Sequence, residues 1–327
     1  ADAAALQEEM GYNGTDAATS PAAAVLKPPN KSTRRKGNAE GLFYVTEGCI
    51  NCGTCRWMAP ETFGVHGFKA AVAHQPAEAS EVESEAEQAT SSSDGSALRR
   101  AVRAMVTCPS GSIRTASPVG PLVKAVVKED FPLAVDAARL PGVYHLGFHR
   151  HDTRGAASYL LVRRVGQCYQ NIMVDVPRYT RRLADAIEQR FGGIEYLVVT
   201  SKGLEHGHEE WKARFPDMVR VMHRHDLKSG DTLETVEDIL EGSGPWDLSL
   251  DDDDEEEEKE EEEEDYDEEM AAALNDVRIW HTPGRSFGAL SVWFRPQTTA
   301  PDAAMLTGAH LGFDPKRRRL DGFSGMN

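Results

Sequence analysis

The sequence contains no apolar run long enough to cross a bilayer, so a membrane-spanning helix is not what organises this chain. Aromatic residues are scarce at 7%, but 40% of the 327 residues are hydrophobic, enough for one small and one medium domain. An excess of basic residues is missing as well. The net charge is −17, of which −16 falls within residues 251–269, where 17 acidic residues accompany a single lysine. We therefore expect no nucleic-acid partner, whereas this acidic segment could dock a basic protein.

Cysteine is also scarce, yet four of the five cysteines follow a pattern. Cys49, Cys52 and Cys55 are separated by two residues each, and Cys108 follows far downstream, directly before Pro109. This spacing lets one tight loop hold three corners of an iron–sulfur cube that a distant Cys-Pro completes, so we predict one 4Fe-4S cluster. Zinc sites usually use two separated Cys-x-x-Cys pairs. A zinc site and unpaired core thiols remain the alternatives.

The fifth cysteine, Cys168, has no place in this pattern and is expected to be a small packed side chain. An odd thiol beside an oxidation-sensitive cluster favours a reducing compartment. Ala59 stands where a two-cluster bacterial ferredoxin carries its next Cys-Pro, which leaves a second cube without a ligand set. The N-terminal part of the chain is therefore predicted to be a one-cluster module.

Composition divides the chain into modules. Its start is rich in Ala, Pro and Ser, as in an unfolded leader or the remnant of an organelle transit sequence. Within the cluster module, the pattern predicts a hairpin over residues 63–72 and a helix over 98–106 that leads to Cys108. The predicted parts are a leader at 1–40, a cluster module at 41–118 with a disordered insertion at 75–97, a linker at 119–142, and a second domain at 143–327 with an acidic insertion at 247–270.

The second domain alternates between strand and helix patterns. Runs at 142–148, 157–162 and 171–176 are typical of strands, a helix is predicted over 181–191, and the run at 196–200 is the strand that follows it. Strand, helix and strand in this order indicate an α/β layer arrangement. Further strands are predicted at 219–222, 277–280, 290–294 and 304–308.

Two resemblances to known families fit this division. Residues 49–60 reproduce Cys-x-x-Cys-x-x-Cys-Arg-Trp-Met-Ala-Pro, the motif of a subfamily of plants, algae and bacteria in which a one-cluster ferredoxin precedes a metallo-β-lactamase-like domain. The turn His-Thr-Pro-Gly-Arg-Ser-Phe-Gly at 281–288 resembles the His-Thr-Pro-Gly-His-Thr-x-Gly turn of metallo-β-lactamases, and Asp175, 197–200 and 306–311 are similar to further motifs of that family. The resemblance implies an α+β ferredoxin-like module followed by an αββα sandwich whose C-terminal part is incomplete.

Most metal ligands of that family are replaced. The hydrolases of that family carry His-x-His-x-Asp-His after the strand, but here Thr200 is followed by Ser-Lys-Gly-Leu-Glu-His, so only His206 matches a metal ligand of this motif. When the chain is aligned instead with the longer motif of the ferredoxin-fused subfamily, His208 is the ligand that remains. Arg285 replaces the histidine of the turn, and Ala309 replaces an aspartate that bridges two metals. Because lysine and arginine repel a cation, we expect no zinc or iron in the second domain. The residues that would hold one are His206, His208, His281, His310 and Asp175, with His223 and His225 as the other candidate histidines.

These observations favour an iron–sulfur protein that transfers or senses single electrons, with the second domain as a largely non-catalytic scaffold. Two alternatives stay open. One is a metal-dependent hydrolase or oxidoreductase that uses the second-domain histidines, and the other is an assembly factor in which the cluster staples a small domain. No catalytic residue and no redox partner protein can be named from the sequence. The leader and the plant and algal resemblance favour the chloroplast stroma, and otherwise the cytoplasm.

Overall fold

The computed structural model describes residues 33–77, 96–153, 155–165, 168–227, 236–248, 276–296, 302–309, 311–314 and 319–322. Outside these residues lie 1–32 of the predicted leader, 78–95 of the predicted insertion, 249–270 of the acidic insertion, His310, and the side chain of Cys168. Among the helices of the described residues, none combines the length and the apolar character that crossing a bilayer requires.

The N-terminal module is built from two pairs of antiparallel strands and two helices. β1 (Phe43–Val45) pairs with β4 (Ile113–Thr115). β2 (Phe63–His66) pairs with β3 (Lys69–Val72), which confirms the predicted hairpin. The predicted helix is confirmed as α2, which begins after Ser96, whose hydroxyl accepts a hydrogen bond from the amide of Arg99 at 3.1 Å. The elements are β1 (Phe43–Val45), α1 (Thr54–Met58), β2 (Phe63–His66), β3 (Lys69–Val72), α2 (Ala97–Thr107) and β4 (Ile113–Thr115).

Two sheets dominate the rest of the described chain. The elements are α3 (Gly120–Glu129), β5 (Leu133–Ala134), β6 (Val143–His145), β7 (Tyr159–Leu161), β8 (Arg164–Val165), β9 (Cys168–Tyr169), β10 (Ile172–Val174), α4 (Arg181–Phe191), β11 (Tyr196–Val198), α5 (His208–Arg214), β12 (Val219–His223), a 3-10 helix (Arg224–Asp226), β13 (Asp238–Leu240), β14 (Trp246–Asp247), β15 (Val277–His281), β16 (Leu290–Phe294), β17 (Ala304–Leu306), β18 (Leu311–Asp314) and β19 (Arg319–Gly322). The larger sheet has the order β13-β12-β11-β10-β7-β6-β5, and the smaller sheet has the order β14-β15-β16-β17. Strands β10 to β13 run parallel, and the other neighbours in these sheets run antiparallel.

The two sheets pack face to face. Val174, Val198 and Val221 of the larger sheet share one buried apolar cluster with Ile279 and Val292 of the smaller sheet. Inward-facing residues of two sheets that interdigitate in this way form the core of a sandwich.

Helices cover the other face of the larger sheet. Met173 and Leu197 point away from the smaller sheet, because successive strand residues alternate between faces. They belong to the same buried cluster as Leu183 and Ile187 of α4. The described residues therefore form a mixed α/β structure with a helix layer and two sheet layers. The mixed α/β fold expected from the sequence, a ferredoxin-like module followed by packed sheets and helices, is confirmed.

The predicted linker, residues 119–142, contains the helix α3 and the strand β5. Val126 of α3 and Phe131 behind it belong to a buried cluster that also includes the core of the N-terminal module and the helix side of the larger sheet. Asp130 accepts a hydrogen bond from Arg99 of α2 at 3.0 Å, and α3 also contacts α4. The module and the second domain are therefore joined by a shared core rather than by a free connector.

Candidate metal centre

Cys49 and Cys52 lie on one tight loop, and Cys55 lies in the first turn of the helix α1 that follows it. Between Cys49 and Cys55, the backbone takes positive φ angles of 58° at Asn51 and 89° at Gly53. Asparagine and glycine adopt this left-handed conformation at little steric cost. The two residues therefore let the chain curl between successive cysteines.

The fourth ligand reaches this loop through strand pairing. Cys108 directly follows the last residue of α2. A few residues later, Ile113 of β4 pairs with Val45 of β1, which is the strand that leads to Cys49. Pairing of these two strands brings the segment after α2 beside the start of the cysteine loop.

The four cysteines line one small pocket. Apolar side chains of Val45, Ile50, Ala70 and Ile113 form much of the remaining wall. Cys55 is buried, and the other three cysteines are partly exposed. Such an apolar, partly closed pocket limits the access of water to the sulfur atoms, a factor that sets the potential of an iron–sulfur group.

A single zinc ion would need its sulfur ligands close together. Four thiolates at the usual zinc distance of about 2.3 Å lie only about 3.8 Å from one another in a tetrahedron. Among the described residues, one trio of metal-ligating side chains brings its ligand atoms within 4.8 Å of one another, and it consists of histidines rather than of any three cysteines. The cysteines therefore do not form a compact single-ion trio in this structure.

Burial and mutual repulsion oppose ionisation of these thiols in the absence of metal. Burial raises the pKa of Cys52, and the neighbouring Cys108 and Cys49 raise it further, while hydrogen bonds from Thr54 lower it. The pKa of Cys55 is also raised, first by burial and then by Cys52. Four thiolates can share this pocket only if a positively charged group compensates them. Iron ions supply such charge, so the residues present fit an iron–sulfur group.

The second-domain residues of the predicted metal site are engaged with separate partners. His206 is exposed, and its Nδ1 lies 3.4 Å from a carboxylate oxygen of Asp152. His208 Nδ1 lies 3.0 Å from the guanidinium of Arg220. His310 lies outside the described residues. The described members of the predicted site therefore do not converge on one point.

Buried carboxylates at the strand ends are committed to hydrogen bonds within the protein. Asp175 follows β10 and accepts hydrogen bonds from the amide of Thr200 at 2.8 Å and from its hydroxyl at 2.9 Å. Burial raises the pKa of Asp175 to about 7, although both hydrogen bonds lower it. Asp226 accepts from the amide of Lys202 at 2.9 Å and from the hydroxyl of Ser286 at 2.5 Å. These two carboxylates hold neighbouring loops together.

Three histidines come together beside the predicted turn, but their rings are poorly placed for one ion. His223 and His281 stack with ring centroids 4.3 Å apart and planes only 7° from parallel. A metal bound through a ring nitrogen lies near the plane of that ring, and two parallel planes share no such point. His223 also accepts from the amide of His225 at 3.2 Å, and its Nε2 lies 3.1 Å from the carbonyl oxygen of Gly242. In this arrangement the trio does not offer three lone pairs to one cation.

The cysteine centre falls within a segment that matches a known family. Residues 45–115 match the family described as the 4Fe-4S single cluster domain of ferredoxin I. The chain carries a ferredoxin domain. The match includes all four predicted ligands and supports an iron–sulfur cluster in their cavity. None of the curated proteins compared with the chain matches it.

Several solved structures resemble part of the chain. A subclass B3 metallo-β-lactamase of Bradyrhizobium japonicum is 18% identical with a TM-score of 0.30, and the similarity covers 50% of this chain and 57% of that one. A β-lactamase from Chitinophaga pinensis is 12% identical with a TM-score of 0.32, covering 54% and 65% of the two chains. A subclass B3 metallo-β-lactamase from a soil metagenome library is 14% identical with a TM-score of 0.32, covering 51% and 60%. The chain spans less than two thirds of the length of each of these proteins.

The second domain covers the ferredoxin domain at Cys52. A Cβ added to Gly155 would lie 2.8 Å from the Cβ of Cys52, so second-domain backbone lies directly against this ligand. His149 Nδ1 lies 3.3 Å from the hydroxyl oxygen of Thr54, which lies 3.6 Å from the sulfur of Cys52. Second-domain residues therefore lie directly against one cysteine of the pocket, whose lining residues all belong to the ferredoxin domain.

No sequence motif singles out His145 or His149, which lie at the end of β6 and shortly after it. Both side chains are buried, with 1% and 2% of their surface exposed. One feature of the sequence could have pointed to these residues, namely a histidine in an otherwise apolar strand. A buried imidazole at such a position requires a hydrogen-bond partner. His145 finds its partners in Gly147 and His149, and His149 in turn contacts Thr54 of the ferredoxin domain, more than 90 residues earlier in the chain.

Proposed function

We propose that this protein transfers or senses single electrons through one 4Fe-4S cluster held by Cys49, Cys52, Cys55 and Cys108. The observation that carries this proposal is that Cys49, Cys52, Cys55 and Cys108, whose spacing is typical of a 4Fe-4S site, line one pocket. The family match at residues 45–115 supports it. A bound 4Fe-4S cluster accepts or releases one electron at a potential set by its surroundings.

The residues of the chain hold the sulfur ligands and stabilise their negative charge. The amide of Asn51 donates to the sulfur of Cys49, and the amide of Ser112 donates to the sulfur of Cys108, both at 3.4 Å. Hydrogen bonds of this kind favour the more negative, reduced state and so raise the reduction potential. The apolar wall acts in the opposite direction, because it disfavours added charge.

For the second domain we propose a scaffold role rather than hydrolysis. In support, His206, His208 and Asp175 are each occupied by a different partner. Arg285 and Ala309 stand at positions where the resembling family has metal ligands. The domain instead packs against Cys52 and Pro109 and gives the ferredoxin domain part of its core.

The partner that fits this site is a protein that donates or accepts one electron. A plastid, or another reducing compartment, is the setting that we propose for an oxidation-sensitive cluster.

Iron and sulfide analysis of the full chain, purified without oxygen, tests this function. We expect about four iron and four sulfide ions per chain and a paramagnetic signal that appears on one-electron reduction and disappears on reoxidation. Cys108→Ser should lose the cluster, whereas the control Cys168→Ser, outside the matched segment, should keep it. Colourless protein with one zinc ion per chain would contradict the proposal. A cluster that decomposes on reduction would favour the assembly role instead.

A further inference from the structure

A chain of hydrogen bonds runs from the second domain to a cluster ligand. The amide of Gly147 donates to His145 Nδ1 at 3.1 Å, and His145 Nε2 lies 2.9 Å from His149 Nε2. His149 Nδ1 lies 3.3 Å from Thr54 Oγ1, and Thr54 Oγ1 lies 3.6 Å from the sulfur of Cys52. Each contact is within reach of a hydrogen bond, so the second domain has a continuous polar connection to this sulfur.

The backbone determines the direction of the whole chain. An amide N–H can only donate, so Nδ1 of His145 is an acceptor, and the proton of the neutral ring is on Nε2. His145 therefore donates to Nε2 of His149, whose own proton must be on Nδ1 and is donated to Thr54. In this structure the thiol of Cys52 donates to the hydroxyl oxygen of Thr54. A metal-bound thiolate would have no proton to donate, so the hydroxyl of Thr54 would then donate to this sulfur.

The burial of both imidazoles agrees with this arrangement. Burial lowers the pKa of His145 to about 4 and lowers the pKa of His149 well below its ordinary value, and His145 contributes to the shift in His149. A backbone hydrogen bond to Gly155 opposes the shift in His149. Both rings are therefore neutral at pH 7, and a neutral ring carries one donor and one acceptor.

We propose that His145 and His149 are positioning residues through which the second domain raises the reduction potential of the cluster. They hold the hydroxyl of Thr54 as a donor to the sulfur of Cys52. A bound cluster would place more negative charge on its ligand sulfurs when reduced by one electron from a donor protein, and a hydrogen bond from Thr54 to Cys52 would favour that state. No proton is transferred and no bond is broken in this step. The inference rests on the proposed electron-transfer function.

Ser110 provides a matched comparison within the ferredoxin domain. Its hydroxyl lies 3.6 Å from the sulfur of Cys108, the same distance as from Thr54 to Cys52, and 2.8 Å from the hydroxyl of Ser112. This contact involves no second-domain residue. A change at His149 should therefore act through Thr54 and should not act through Ser110.

The test is a set of reduction potentials measured by anaerobic titration of full-length variants. Thr54→Val and His149→Phe should each make reduction about tenfold less favourable, which for one electron is about 59 mV. His149→Asn keeps a donor near the position of Nδ1 and should restore most of this loss. His149→Phe should add nothing in the Thr54→Val background but its full effect in the Ser110→Ala background. Additive effects of Thr54→Val and His149→Phe would overturn the proposal.

A second measurement does not depend on the variants folding well. Nitrogen NMR of the wild-type protein should find the proton of His145 on Nε2 and that of His149 on Nδ1, and the opposite tautomers would reject the inference. Thr54→Ser keeps the hydroxyl and should have the wild-type potential. A wild-type cluster that cannot be cycled reversibly would contradict the proposed function. If the cluster cycles reversibly but Thr54→Val and Thr54→Ser have the same reduction potential, the inference alone would be contradicted.

Discussion

Asp175 shows how burial and hydrogen bonds commit a carboxylate to holding loops together. It lies at a strand end with a φ of 58°, is only 2% exposed, and accepts both hydrogen bonds that Thr200 can donate to it. A Cβ added to Gly308 would lie 1.9 Å from the hydroxyl oxygen of Thr200, so another loop closes over the pair. In this environment the carboxylate stabilises the contact between loops and is not open to a substrate.

The raised pKa of Asp175 predicts a pH-dependent stability. Because the folded-state pKa is about 7 and the ordinary value is 3.8, this group favours the folded state at low pH, and the benefit is lost as the pH rises through about 7. Asp175→Asn cannot titrate. Measured by urea unfolding, the stability of the wild type relative to this variant should fall by about 2 kcal/mol between pH 5 and pH 8.

Exposed Asp217 provides the control for this measurement. Asp217→Asn should follow the wild-type pH profile. Comparing the Asp175 variant with the wild type at each pH also removes the contribution of His145, whose lowered pKa acts in the opposite direction. A constant stability difference between the wild type and Asp175→Asn from pH 5 to pH 8 would show that Asp175 does not titrate as described.

At the scale of elements, the loop after β6 determines how closely the two domains meet. Gly155 in this loop has a φ of 86°, and an added Cβ would lie 2.8 Å from Cβ of Cys52 and 3.2 Å from the ring of Pro109. A side chain at this position would therefore press on two residues of the cysteine segments. The loop depends on glycine both for its conformation and for the close approach.

We predict that Gly155→Ala accelerates loss of the cluster. Gly203 offers a matched control, because its φ of 91° imposes similar backbone strain while an added Cβ would meet no atom within 4 Å. Both substitutions should cost about 1 kcal/mol or somewhat more of folding stability through backbone strain. Only Gly155→Ala should increase the rate at which the visible absorbance of the cluster decays in air. Equal decay rates in the two variants would argue against a direct contact between the loop and the pocket.

At the scale of the whole molecule, the ferredoxin domain and the second domain share one buried core. Phe131 is fully buried, and its ring packs edge to face against Phe148 with centroids 5.7 Å apart. It follows α3, the helix that contacts both α2 and α4. The two domains should therefore unfold together, because neither can lose this core independently.

Phe131→Ala should lower the free energy of unfolding by about 3 to 5 kcal/mol. Cluster absorbance and tryptophan fluorescence should report one coincident transition in the wild type, and both should shift together in the variant. Phe68→Ala, at a side chain that is 92% exposed, should leave the transition reported by each probe unchanged. Separate transitions for the two probes in the wild type would contradict a shared core.

The sequence by itself was sufficient to predict features that depend only on residues close together along the chain. The grouping of Cys49, Cys52 and Cys55 around one pocket could be predicted because a cysteine loop needs only its own spacing. The helix that became α2 could be predicted because periodicity and its cap at Ser96 are local. The alternation of strand and helix indicated the α/β layers for the same reason.

Only the tertiary structure decided which distant residues meet. His149 and Thr54 are 95 positions apart, and no local pattern connects them. The segment predicted as a linker contains α3, whose apolar face became visible as a core element only when both domains packed against it. The predicted metal residues His206 and His208 acquired other partners for a similar reason. Such contacts depend on how sheets and helices pack over long sequence separations, whereas motif spacing records only neighbours along the chain.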